Sequence, residues 1–234
     1  MIFMKKNRKA LTSLILASML CLSSTAFASS DTYNGYGSEL GGYVSVPFNS
    51  FTDVPSDFWA HDAIIRVADK GWFGGYPDGS FRPNSMVSRA EAMKVFVVSH
   101  SLAVSPVTSS SYPDVSTSDW FCPYIEAGKG ILPVTTTMGQ TPFKPNAPIT
   151  REDTAYAVVK IMGFESQTTF ADQSVLNMFS DPHTISEAIK PYMSVALQNG
   201  LISGFPDNTI RAQDPLSRAE FATILYRATM HGYN

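Results

Sequence analysis

Three arginines stand at matching positions in three short motifs, and each motif could bind an anion. Arg89, Arg151 and Arg218 each follow a Ser or Thr and precede, by two residues, a Glu or Asp. The helix dipole disfavours a guanidinium at the first helical position, so its repeated placement there indicates a compensating interaction. An anion would gain from the guanidinium fork and from the free N–H groups of the helix start. The alternative is a structural ion pair with a carboxylate such as Asp53 or Asp114.

The residues that flank each arginine match a capping box. In this motif an N-cap hydroxyl accepts a backbone hydrogen bond, and a carboxylate three residues later bonds back to the N-cap. Asp153 is a shorter and weaker version of the glutamates in the other two motifs. We expect capping to be the main role of Ser88, Glu91, Thr150, Asp153, Ser217 and Glu220.

Aromatic and acidic residues beside predicted loops could contact a sugar. A ring can stack on a sugar face, and a carboxylate can bind sugar hydroxyls. For the rings the alternative is burial in the core, and for the aspartates it is turn formation. The candidates are Trp59, Trp72, Trp120, Tyr76, Phe205, Asp78 and Asp207.

Patterns for catalysis or metal binding are weak in this sequence. The four histidines at 61, 100, 183 and 231 lack metal-ligand spacing, and no serine lies in a nucleophile-elbow motif. The turn aspartates lack the alternating oxygen ligands of a calcium loop. We therefore predict a protein that is not an enzyme and that uses no metal or other cofactor.

The motifs belong to three repeats of one pattern, which we call the first, second and third units. Each unit opens with an aromatic residue and an aspartate, and its motif arginine follows the aromatic by 38 or 39 residues. Between the opening residues and the arginine, the sequence first predicts a short helix that ends at a glycine, over 60–70, 120–129 and 186–199. A turn and a second helix follow. Tyr76-Pro-Asp-Gly79 has the preferences of a type I turn, and Phe205-Pro-Asp-Asn208 is its counterpart.

Each second helix carries an apolar stripe that predicts a buried face. Two short helices bury little alone, so we predict that the stripes meet in a central three-helix bundle. The predicted fold class is mainly α, a pseudo-threefold assembly of three helix–loop–helix repeats. The segments 104–111 and 164–178 are predicted linkers. The stripe residues are Ala92, Met93, Phe96, Thr154, Ala155, Val158, Phe221, Ala222 and Leu225.

The first 28 residues have the features of a secretory signal peptide, and 29–50 is predicted to be a flexible leader. Four basic residues precede an apolar stretch over 10–22, and Ala26-Phe27-Ala28 suits signal peptidase. Cleavage removes four of 17 basic residues and none of 20 acidic ones, which leaves 13 against 20. An acidic chain argues against nucleic acid or an anionic membrane as partner. We expect no membrane span after cleavage, and no intramolecular disulfide because Cys122 is then the only cysteine.

The units resemble the S-layer homology (SLH) domain. The resemblance rests on Phe51-Thr-Asp53-Val, Trp59, Gly75-Tyr-Pro-Asp-Gly79-Ser-Phe-Arg-Pro83 and Ser88-Arg-Ala-Glu91. It covers about 51–229 as a triplet, with units at 51–100, 112–163 and 179–229. The first unit matches specifically, while the other two match mainly by register.

The resemblance implies a spindle of three prongs whose grooves bind secondary cell-wall polysaccharide, often pyruvylated. Under it, the ligand-contacting arginine of the family corresponds to Arg89, Arg151 and Arg218. The other carbohydrate-binding candidates are Trp59, Asp53, Tyr76, Asp78, Gly79, Trp120, Phe205 and Asp207. The second unit lacks the Tyr-Pro-Asp-Gly turn and the third has Ala188 in place of the tryptophan, so a groove using the loops of the first unit is the best candidate.

The sequence thus predicts a secreted, wall-anchored, non-catalytic module whose partner is a cell-wall glycan. Two alternatives remain open at this point. One is a surface-layer or surface assembly protein whose repeats contact other surface proteins. The other is a tether that binds peptidoglycan.

We expect the mature chain to begin at about Ser29 and to carry no lipid. Cys21 follows an apolar stretch as a lipid-attachment cysteine does, but it is preceded by Leu20, where such signals need Gly, Ala or Ser. Intact-mass spectrometry of the exported protein measures both properties. A diacylglyceryl group on Cys21 would contradict the expectation and place the protein at the membrane.

Overall fold

The computed structural model describes residues 51–231, and its regular elements there are helices without β-strands. The signal peptide and the leader lie outside the described residues. The α-helices are α1 (His61–Asp69), α2 (Arg89–Ser99), α3 (Cys122–Ala127), α4 (Arg151–Ile161), α5 (Lys190–Gln198) and α6 (Arg218–His231). Short 3₁₀ helices span Glu165–Phe170, Gln173–Met178 and Pro182–Thr184. The mainly α fold class is confirmed.

The first helix of each unit packs on the second helix of the unit before it, in cyclic order. Helix α3 contacts α2, α5 contacts α4, and α1 contacts α6. The stripes of all three second helices are buried, as their spacing predicts. Helices α4 and α6 touch, and Phe96 of α2 meets Phe221 of α6 with ring centroids 5.3 Å apart. The pseudo-threefold arrangement around a central bundle stays a prediction.

A ring of backbone hydrogen bonds joins the residues just before the three N-caps. Val87 N–H donates to the Leu216 carbonyl (3.1 Å), Leu216 to Ile149 (3.0 Å) and Ile149 to Val87 (2.8 Å). All three side chains are buried. Each bond crosses from one unit to another, so the ring fixes the starts of α2, α4 and α6 relative to each other.

The opening aspartate of each unit holds the loop before the second helix. Both oxygens of Asp53 accept backbone N–H groups, from Phe81 and Arg82, each at 2.7 Å. Arg82 has φ 58°, a left-handed conformation that costs a non-glycine residue free energy. The two charge-assisted bonds offset that cost. Asp114 and Asp181 make the same pair of bonds in their units.

The opening aromatic ring explains a glycine in the loop after the first helix. A Cβ added to Gly75 would lie 2.4 Å from a ring carbon of Phe51 and 2.5 Å from the Ser80 carbonyl oxygen. The ring therefore packs where any other residue would clash. Gly204 has the same relation to Phe179 in the third unit.

The segment 164–178 differs from the linker that its sequence predicts. Its two 3₁₀ helices pack on α5, and Leu176 is buried. A 3₁₀ helix has three residues per turn and occurs in short pieces, so it leaves no 3.6-residue pattern in the sequence. The segment is therefore part of the third unit's packing.

Asp53→Ala is expected to lower the free energy of unfolding by about 2–4 kcal/mol, because two charge-assisted hydrogen bonds are lost. Asp57→Ala is the matched control: its side chain is exposed, and we expect less than about 0.5 kcal/mol. Urea unfolding measures both values. Equal effects would show that the aspartate clamp contributes nothing beyond a surface charge.

Candidate functional site

The N–H groups at the start of each second helix are already bonded within the protein. Arg218 N–H donates to the Ser85 carbonyl (2.8 Å), and Ala219 N–H donates to Pro83 (3.0 Å). The first two N–H groups of α2 and α4 bond in the same way to the loops before α4 and α6. The expectation of free helix-start donors for an anion is therefore wrong, because the loop of another unit occupies them.

The six capping residues form capping boxes. In the first unit Ser88 Oγ accepts from Glu91 N–H (3.2 Å), and Glu91 Oε2 accepts from Ser88 N–H (2.8 Å). Ser217 and Glu220 bond in the same way. In the second unit Thr150 Oγ1 accepts from Asp153 N–H (3.1 Å), but the return bond to Asp153 is long, at 3.4 Å.

The three arginine side chains are buried in the seams between units. We name each seam after the unit that supplies its loop. Arg218 lies in the first seam, Arg89 in the second and Arg151 in the third. Their exposed fractions are 1%, 7% and 6%. The arginine next to the first unit's Tyr-Pro-Asp-Gly turn is thus Arg218 of the third unit, although Arg89 is nearer in sequence.

In the first seam the guanidinium of Arg218 spans two carbonyl oxygens. Its Nε donates to Phe81 (2.7 Å) and its Nη2 to Gly74 (2.6 Å). The rings of Phe73, Phe81 and Tyr76 lie 4.1, 4.5 and 5.0 Å from it. Its buried Nη1 has no hydrogen-bond partner among residues 51–231. An orphaned buried donor is costly, so this nitrogen is suited to an incoming acceptor.

In the second seam all three nitrogens of Arg89 are bonded. Nε donates to the Phe143 carbonyl (2.9 Å), Nη2 to Pro133 (2.7 Å) and Nη1 to Asp153 Oδ2 (2.6 Å). The predicted alternative of an arginine–carboxylate pair is thus present here. Its partner is Asp153 rather than Asp53 or Asp114, whose oxygens hold backbone N–H groups.

In the third seam Arg151 lies near two further cations, Arg211 and Arg227. Its Nη2 donates to the Ser203 carbonyl, while Arg227 Nη1 donates to Ser203 Oγ (2.9 Å). Its buried Nε has no partner within the described residues. Desolvation lowers the pKa of Arg151 to about 10, and nearby Arg227 and Arg211 act in the same direction. The group is still charged at neutral pH.

The predicted turn aspartates each hold a second arginine. Asp78 accepts from Ser80 N–H and Oγ and pairs with Arg82 Nη2 at 3.0 Å. These hydrogen bonds lower the pKa of Asp78 to about 2, and the bond from the Ser80 hydroxyl has the largest effect. Arg82 in turn lies 3.8 Å from the Tyr76 ring, whose surroundings also include Arg218. The carboxyl thus stays ionised down to about pH 2.

Asp207, Arg211 and Phe205 repeat this arrangement in the third seam. The bond from the Thr209 hydroxyl is the main cause that lowers the pKa of Asp207 to about 2. Phe205 lies 4.1 Å from Arg211 and 4.9 Å from Arg151. The sequence interpretation missed Arg82 and Arg211. Their signal is the repeated spacing of Asp, a hydroxyl residue and Arg at every second position.

The remaining candidates are more scattered. Gly79 lies in the turn with φ 78°, and its N–H donates to the Tyr76 carbonyl (3.0 Å). Trp59 is 63% exposed beside Phe58. Trp120 is half-buried against Phe121 and Tyr124. The structure thus brings Tyr76, Asp78 and Gly79 to the first seam. Trp59 and Trp120 lie near the starts of first helices, and Trp72 is half-buried just after α1.

No cluster of three His, Cys, Asp or Glu side chains within residues 51–231 could hold a metal ion. No helix in the range is long and apolar enough to cross a membrane.

A family model for the S-layer homology domain matches the chain three times, at residues 50–93, 111–155 and 179–222. The chain belongs to the SLH domain family. The matches contain the three arginine motifs and begin at, or one residue before, the three opening aromatic residues, so the predicted SLH triplet is confirmed. The predicted cell-surface localisation is confirmed with it.

Relatives place SLH segments in much longer proteins. The surface-layer 125 kDa protein of Lysinibacillus sphaericus is 36% identical over 113 residues, which are 47% of this chain and 9% of that protein. S-layer protein sap of Bacillus anthracis is 29% identical over 142 residues, 57% of this chain and 17% of that protein. The amylopullulanase of Thermoanaerobacterium thermosulfurigenes is 28% identical over 204 residues, 85% of this chain and 10% of the enzyme. The chain thus spans less than a fifth of the length of these relatives.

Arg218→Ala is expected to lower the free energy of unfolding by about 3–5 kcal/mol, because it removes two charged hydrogen bonds between units. Arg82→Ala, which removes an exposed ion pair, is the control and should lower the free energy of unfolding far less, because a solvent-exposed pair is screened. Chemical denaturation compares them. If both variants are equally stable, the seam arginine does not hold the units together.

Proposed function

We propose that this SLH triplet anchors the chain non-covalently to an anionic cell-wall glycan, and that the first seam is its principal binding site. The family and its surface-layer relatives support attachment at the cell wall. The observation that carries the choice of seam is the guanidinium of Arg218. Two loop carbonyls fix it, where one holds Arg151, and its buried Nη1 has no partner within residues 51–231.

The guanidinium of Arg218, and not the net charge of the chain, favours an anionic group on the glycan. Without residues 1–28 the chain carries 13 basic against 20 acidic residues, so it offers no long-range attraction for an anion. A guanidinium held in place by two carbonyl oxygens has its geometry fixed before the ligand arrives, which lowers the entropy cost of binding. A carboxylate on the sugar, such as a pyruvyl group, is the acceptor that this arrangement fits.

Access to Arg218 runs past Tyr76. Phe73 and Phe81, which also surround the guanidinium, are buried, while Tyr76 is only half-buried. Tyr76 therefore forms the surface side of the seam, and its ring can stack on the sugar that bears the anion. Asp78 and Gly79 in the same turn offer a carboxylate and backbone groups to sugar hydroxyls.

The role is binding and not catalysis. Two relatives that are enzymes, the amylopullulanase and the exoglucanase XynX of Acetivibrio thermocellus, are matched over only 10% and 16% of their lengths. Those segments are the parts that resemble an SLH triplet. In this proposal the triplet supplies attachment in such proteins as it does here.

The chain without residues 1–28 should co-sediment with wall sacculi, and stripping the secondary polymer from the sacculi should abolish this. Binding should fall only mildly as salt rises, because a desolvated contact is weakly screened. A pelleting assay with both kinds of sacculi measures this.

Each contrary result has a distinct meaning. Full binding to stripped sacculi would contradict the proposal and support the peptidoglycan tether. Binding to neither kind, together with self-association, would support an assembly role. A steep loss with salt would indicate diffuse attraction to a polyanion rather than a shaped site.

A further inference from the structure

The capping carboxylate of the second unit points differently from its counterparts. Glu91 Oε2 accepts from both the N–H and the Oγ of Ser88, each at 2.8 Å. Glu220 makes the same two bonds to Ser217, at 2.9 and 2.7 Å. Asp153 is one methylene shorter, and its Oδ2 lies 3.4 Å from its N-cap nitrogen but 2.6 Å from Arg89 Nη1.

The nitrogen that Asp153 binds is the one left without a partner in the first seam. Arg89 and Arg218 use the same atoms, Nε and Nη2, to hold two loop carbonyls. The third atom, Nη1, binds Asp153 in Arg89 of the second seam. In Arg218 of the first seam it has no partner within residues 51–231. A carboxylate of the protein itself therefore stands where the proposed ligand's carboxylate would bind.

We infer that Asp153 is an internal occupant that closes the second seam to the anionic group of the glycan. This inference rests on the proposed function of the first seam. Both side chains of the pair are largely buried, with 8% and 14% of their side-chain surface exposed. Removing one partner of such a pair leaves an uncompensated buried charge, so an external carboxylate competes poorly with Asp153.

The same geometry predicts that one methylene group in the capping side chain decides whether Nη1 of the seam arginine is available to a ligand. In Asp153→Glu the longer side chain can reach the Thr150 N-cap as Glu91 and Glu220 reach theirs, which frees Nη1 of Arg89. In Glu91→Asp the shortened carboxylate should turn to Arg218 as Asp153 turns to Arg89. Both substitutions preserve charge. Each introduces at the capping position of one unit the residue that another unit has at the equivalent position.

The experiment uses the chain without residues 1–28, labelled with ¹⁵N, and wall polymer fragments released from sacculi. Guanidinium resonances identify the occupied seam, and calorimetry gives the number of sites. In the unsubstituted chain the fragments should shift Arg218 and not Arg89. Asp153→Glu should add a shift at Arg89 and raise the stoichiometry by about one site per chain. Glu91→Asp should weaken binding at Arg218 at least about tenfold.

Asp57→Glu, at an exposed position, is the control and should leave both resonances and the stoichiometry unchanged. If the fragments bind at Arg218 but Arg89 of Asp153→Glu never responds, the inference is overturned while the proposed function stands. If the fragments do not bind the unsubstituted chain, the proposed function fails. Titration with acetate then still decides the inference: Arg89 must respond in Asp153→Glu and stay silent in the unsubstituted chain. Urea unfolding confirms that each variant is folded.

Discussion

The units depend on one another because each second helix begins with donors that its own unit leaves unsatisfied. The first two N–H groups of α2, α4 and α6, and the arginine that opens each helix, bond to a loop of the next unit in the cycle. Buried donors of this kind must be satisfied for the fold to be stable. The loops, in turn, present their carbonyls because an opening aspartate holds their N–H groups from the other side. A single unit therefore lacks the acceptors for the first N–H groups and the arginine of its own second helix.

This exchange also limits where the proposed ligand could bind. Arg89 and Arg218 each use Nε and Nη2 to join units, so only Nη1 is left for a further partner, whereas Arg151 uses Nη2 alone. The three seams differ at the guanidinium: a partnerless Nη1 in the first, an internal carboxylate in the second, and three neighbouring arginines in the third. The bonds that each arginine makes to the next unit explain why a cation is tolerated at the unfavourable end of a helix dipole, and under the proposed function the same side chain also binds the ligand.

Local patterns in the sequence predicted the elements but not their partners. The stripe of Ala92 and Phe96 identifies a buried face because helical periodicity is a property of one segment. Periodicity carries no information on which unit faces that side chain, so Arg218 could not be assigned to the loop of Tyr76 from spacing alone. An aspartate such as Asp53 suits both a sugar contact and a clamp on a loop, and only the positions of the Phe81 and Arg82 N–H groups show that it forms the clamp. The segment 164–178 was missed because 3₁₀ turns are too short to show a period.

The hydrogen bonds that join the first and third units, such as that from Val87 to Leu216, have a consequence for how the protein is made. The bonds that close the first seam join residues 137 and 144 positions apart, from Arg218 to Phe81 and Gly74. A chain that emerges N-terminus first exposes the first unit long before the third exists to complete it. Contacts of such long range slow folding and delay the gain in free energy until the end of the chain is present. The first unit therefore lacks part of its packing until the third unit is present, and the protein acquires its rigid form only once the last helix has been made.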